Sequence, residues 1–175
     1  MWHLSRKIAF CGIFAGIAAV LLYMGAIMPT GKLTMYIIAS LPVAAAIIEF
    51  GTGAGVSVYF AVCILSALVS GNILGIVPFA MFFGHYPIFK HFIERGRSAA
   101  AEILMKLAVF NLSGLLWYLL FKAIFLEVLT VRPALNGAML AGLITALQLL
   151  FFIYDYVFTR LLFYYQSRRG IFKRG

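Results

Sequence analysis

Tyr118 and Lys122 stand four residues apart, so on a helix they share a face, with Trp117 beside them but turned away from it. A lysine facing hydrocarbon costs at least about 2.5 kcal/mol at mid-depth, so Lys122 must reach outward or line a wet cavity. Lys32, Asn72, Glu127, Arg132 and Asn136 fall in the loops at the same end of the chain's apolar segments. A recess with aromatic walls and a few cations suits an organic ligand carrying an anionic or acceptor group. The alternative is that these are ordinary interfacial residues. Asn111, Ser113, Thr145 and Gln148 lie deeper, and each needs a hydrogen-bonding partner in lipid. They either bond to one another across helices or, with Gln148 foremost, line the floor of the recess.

A second constellation offers packing rather than chemistry. Ala9, Gly12, Gly16 and Ala19 recur at spacings of three and four, and Gly12 with Gly16 forms a GxxxG. In lipid, helices associate through close backbone approach, which small residues permit. The stripe serves either internal packing or the docking of another membrane protein. A third group gathers at the other end: Glu49, then Lys90, His91, Glu94, Arg95 and Arg97, then Glu102 with Lys106 at i, i+4, then Asp155 and Arg160. It reads as interfacial anchoring with local ion pairs, or as a partner-binding surface.

Catalytic signatures are missing from the sequence. His85 and His91 are six residues apart, which does not place two ligands on one helix face, so no metal site is expected. HExxH, a Walker loop, GxSxG and paired inward carboxylates do not occur. The chain is expected not to be an enzyme and to need no cofactor.

The elements that position these residues follow from composition. Hydrophobic residues form 65% of the chain and charged residues 11%, against about 25% charged in a soluble domain. Six continuous apolar segments are expected as helices at about 8–28, 34–50, 53–70, 73–89, 101–126 and 137–158, followed by a basic tail at 159–175. Runs of this length without strict alternation disfavour a β-barrel, and backbone in lipid must satisfy its own hydrogen bonds. Pro42, Pro78 and Pro87 interrupt the runs, the last two as expected kinks. The fold expected is an all-α integral membrane protein, a compact single-domain bundle of six transmembrane helices.

The first apolar run outlasts a signal-peptide core, and Pro29-Thr30-Gly31 is no small-residue cleavage site, so a retained helix is expected. Cys11 and Cys63 sit inside apolar runs, where a disulfide framework is not expected. Ten basic residues fall on the side of the termini; Lys32 and Arg132, with Lys122 near them, fall on the other. That asymmetry predicts cytoplasmic N- and C-termini. The net charge of +9 is therefore read as topology and lipid contact, not as nucleic-acid binding.

Six helices in under 200 residues, inside termini, Arg6-Lys7-Ile8-Ala9 leading into a small-residue first helix, and a third segment punctuated by Gly51, Gly53 and Gly55 resemble a substrate-binding S component of an energy-coupling factor transporter. The resemblance spans the chain in architecture and is loose in sequence. It implies a subunit of a bacterial cell membrane that captures a vitamin or related micronutrient at the outer face. It implies partners too, a transmembrane coupling protein and two ATPases. It makes Ala9, Gly12, Gly16 and Ala19 the docking stripe, and it points to Lys32, Trp117, Tyr118, Lys122, Arg132 and Asn136 as ligand residues. The first outer loop, roughly Pro29–Leu33, is short for a lid over a hydrophilic vitamin.

Two other classes fit the same pattern. One is a structural membrane scaffold resembling the rod-shape protein of the MreD type. The other is a small lipid- or isoprenoid-handling protein, which the short lid, Phe82, Phe83 and the aromatic tail suit. A channel is disfavoured, because no span carries a ring-forming run of acids or a carbonyl-filter sequence.

Overall fold

The computed structural model describes residues 2–71, 73–96, 98–125 and 137–172. Among them every regular element is helical: α1 (Trp2–Ile27), α2 (Lys32–Phe50), α3 (Thr52–Ser70), α4 (Ile73–Pro78), a π-helical turn (Phe79–Phe83), α5 (Tyr86–Ile93), α6 (Ala99–Phe125) and α7 (Gly137–Phe172). Among the described residues, six helical stretches are long and apolar enough to cross a membrane, the fourth being Ile73–Ile93 taken as one. The protein is an all-α membrane protein. Each of the six stretches overlaps one of the six apolar segments of the sequence.

The sixth differs. The tail expected from residue 159 onward is helix as far as Phe172, and α7 runs for 36 residues. The basic and aromatic residues there read as the end of a span, but Leu, Phe, Tyr, Gln and Arg are all adequate helix formers and nothing before Gly170 stops the ladder.

The chain divides into two compact units, Met1–Val109 and Phe110–Gly175. In the first, α2 is the central helix. Val43, Ala44, Ala45, Ala46 and Ile47 are all buried, so it is enclosed on every side at mid-length. Ala15, Ala18 and Leu22 of α1, Tyr36, Ala39, Val43 and Ala46 of α2, and Ala54, Val58 and Val62 of α3 form one core with Phe79 of the π turn. Each helix contributes residues three or four apart, one stripe per helix. Alanine dominates, which lets the backbones approach closely where lipid offers no hydrophobic drive.

α2 and α3 turn back on a single residue, Gly51, at φ 87°, a conformation that side chains rarely adopt. One turn into α3, Gly55 meets Ile47 of α2 so tightly that a Cβ there would overlap the isoleucine side chain. In the second unit, Phe110 of α6 stacks on Phe151 of α7 with ring centroids 4.5 Å apart.

The fourth span is broken. Pro78 has no N–H for Leu74, and Pro87 has none for Phe83. Between them the Gly84 N–H bonds to the Phe79 carbonyl, five residues back, at 2.6 Å. That choice widens the turn into a π-helix and withdraws the usual α-helical donor from Ala80. The element boundaries fall at the two prolines: α4 ends at Pro78, and α5 begins at Tyr86, one residue before Pro87.

Candidate functional site

The break is rebuilt by side chains. The Ala80 carbonyl accepts from the Tyr59 hydroxyl of α3 at 3.0 Å and faces His85 Nδ1 at 3.0 Å. With Nδ1 donating, the tautomer is fixed and Nε2 becomes the nitrogen that can take a proton. The Tyr36 hydroxyl of α2 donates to the Gly75 carbonyl at 2.6 Å. Two neighbouring helices thus hold the span, α2 at Gly75 ahead of the π turn and α3 at Ala80, whose own helical donor is withdrawn. Gly84 is necessary there: a Cβ would lie 2.7 Å from the Phe79 ring and 2.9 Å from the Tyr59 ring. The sequence raises His85 as a metal ligand with His91, and its spacing rejects it as one. It offered no sign that Tyr36 and Tyr59 serve the same span, since those contacts cross 39 and 21 residues.

At the far end of that span, two lysines share one carboxylate oxygen. Glu94 Oε1 lies 2.6 Å from Lys90 Nζ and 2.7 Å from Lys106 Nζ. Lys90 is 2% exposed and Lys106 is 8% exposed, within a cluster read from sequence as interfacial anchoring with local ion pairs or as a partner-binding surface. The ammonium of Lys90 also lies 5.9 Å from the Tyr86 ring centre. The spacing paired Lys106 with Glu102 on α6, but its ammonium reaches back to Glu94. The reason is that the turn at Gly96, with φ 66°, returns the chain so that α6 starts beside the end of α5. The cluster ties α5 to α6 through buried charge.

The small-residue stripe does not behave as one face. Ala19 is buried, beside the core residues Ala15, Ala18 and Leu22. Gly16 is half-buried, whereas Gly12 and Ala9 are exposed. A Cβ at either glycine would meet nothing within 4 Å. Over a helix the positions 9, 12, 16 and 19 drift around the axis, so the stripe crosses from open surface into the core. Internal packing accounts for Ala19 and leaves Gly12 and Gly16 open.

Lys32 is the first residue of α2 and is exposed. Trp117, Tyr118 and Lys122 are exposed on α6, the last two on the shared face the spacing required. Asn72, Arg132 and Asn136 lie outside the described residues. Gln148 finds the partner that lipid demands: its Nε2 donates to Asn111 Oδ1 at 2.8 Å, joining α7 to α6. Its Oε1 is buried without a partner among the described residues. Thr145 bonds to its own helix at the Ala141 carbonyl. No group of three or more metal-ligating side chains occurs among the described residues.

No family model, curated protein or solved structure matches this chain.

Proposed function

We propose that this membrane protein is a substrate-binding uptake subunit of the kind found in energy-coupling factor transporters, working with a separate coupling protein and ATPases in a bacterial cell membrane. The observation that carries the proposal is the open face of α1. Gly12 and Gly16 are small where smallness serves no contact among the described residues, since a Cβ at either would find empty space there. In lipid, a glycine pair four residues apart on a free helix face is the geometry that admits another helix closely. Both termini lie in the cytoplasm in this reading, which the basic residues flanking the spans support. Tyr118 and Lys122, exposed together on α6, would offer a ring and a cation to the anionic or acceptor group of a small organic ligand.

The test is the double substitution Gly12→Leu with Gly16→Leu, followed by co-purification with a coupling module. Because neither site is packed, the fold should be kept and the complex lost. An unchanged yield of complex removes the docking claim. Thermal stabilisation by an anionic metabolite, lost in Lys122→Gln, would support ligand capture; stabilisation by no compound in a broad metabolite screen would favour the scaffold class instead.

A further inference from the structure

We propose that the C-terminal part of α7 is a collar that binds the headgroups of anionic lipids. The helix has 36 residues, which at about 1.5 Å per residue extend roughly 54 Å. A hydrocarbon core about 30 Å thick takes up roughly 20 residues. Gly137–Phe158 supplies that stretch, so Thr159–Phe172 continues as helix beyond the hydrocarbon.

The chemistry of that extension is one-sided. After Asp155 the sequence holds no further acid, while Arg160, Arg168 and Arg169 lie on the helix. Between the two levels of cations sits an exposed aromatic band: Phe163 is 68% exposed, Tyr164 59% and Tyr165 37%. Eight residues separate Arg160 from Arg168, a rise of about 12 Å. Arg160 is held at the lower level by Tyr156, with its guanidinium 5.3 Å from the ring centre and its Nε donating to the hydroxyl at 3.2 Å.

A bilayer interface matches this order. Rings with one apolar and one polar edge collect at headgroup level, and cations just beyond them meet phosphate. An acidic protein surface would complement the cations but would leave exposed phenylalanine and tyrosine without an apolar neighbour. The charge and the aromatic band together select lipid.

Each cation near an anionic surface favours contact about fivefold, so the three arginines together should decide lipid choice. The full-length protein would be released from micelles doped equally with phosphatidylglycerol and phosphatidylcholine and weighed by native mass spectrometry. It should retain several-fold more phosphatidylglycerol, and the variant Arg160→Gln, Arg168→Gln, Arg169→Gln should lose that preference. A second readout uses a polarity-sensitive fluorophore at Ser167→Cys, with Cys11 and Cys63 replaced by serine, in nanodiscs. The label should shift to the blue with phosphatidylglycerol and return with about 1 M salt. Equal retention of both lipids, or a preference that survives in the triple variant, overturns the collar. So does a label that responds to polyglutamate and not to phosphatidylglycerol, which would assign the surface to an acidic protein.

Discussion

The hydroxyl of Tyr59 donates to the main-chain carbonyl of Ala80 at 3.0 Å, across the point where the fourth span loses its own hydrogen-bond ladder. The carbonyl needs that donor because Gly84, its α-helical partner by position, bonds to Phe79 instead. With little water at that depth, an abandoned carbonyl is expensive, and the Tyr59 phenol joins the His85 imidazole in replacing the lost donor. The break is thus bridged by α3 and by the span's own histidine.

Tyr59→Phe should therefore weaken the protein by about 0.6–1.5 kcal/mol while leaving the ring packing in place. Reversible unfolding in bicelles would measure it. Amide exchange should rise at residues 84–89 and stay unchanged along α1. A variant as stable as the parent, with no change in exchange, would show that Ala80 does not depend on this donor.

Glu94→Gln leaves two buried ammoniums without the carboxylate they share. Removing one partner of a fully buried ion pair costs about 3–5 kcal/mol. Glu94 is 36% exposed on its side chain, so screening should reduce the loss to about 1–3 kcal/mol. Lys106→Met should cost less, because it removes a desolvated charge and keeps the stem that packs. Thermal shift of the two variants in the same detergent checks the order, and a reversed order would count against the charge cluster as the tie between α5 and α6.

Glycines in this protein should divide sharply by position. Gly55→Ala sets a Cβ against Ile47 and should destabilise by about 1–3 kcal/mol. Gly84→Ala meets two aromatic rings and belongs in the same class. Gly12→Ala enters open space and should leave stability unchanged or slightly improved, since alanine is the better helix former. Melting temperatures of the three variants, compared side by side, give the answer.

Asn111 and Gln148 should be energetically coupled. Each leucine substitution alone removes the 2.8 Å hydrogen bond between the two side chains. The pair Asn111→Leu with Gln148→Leu should then cost less than the sum of the singles, by about 0.6 kcal/mol or more. A double-mutant cycle on unfolding free energies measures this directly, and strict additivity would mean that the 2.8 Å contact contributes nothing.

The spans were legible because they are properties of uninterrupted runs. Twenty apolar residues in sequence fix a helix in lipid whatever its neighbours do, and Pro78 and Pro87 marked the break by removing two donors outright. Even the need of Gln148 for a partner was readable, since an amide in hydrocarbon must have one. The partners themselves were not. Sequence spacing joined Lys106 to Glu102, yet a left-handed glycine at 96 folded the chain so that Glu94 came nearer. Gly12, Gly16 and Ala19 look alike in sequence, and only the packing of α1 against α2 and α3 made Ala19 a core residue and left the glycines open. Local composition determined that this chain is helical and belongs in a membrane. Which carbonyl receives which hydroxyl depends on helices meeting side by side, and that is fixed by the close approach of backbones at alanine and glycine, a quantity no single segment contains.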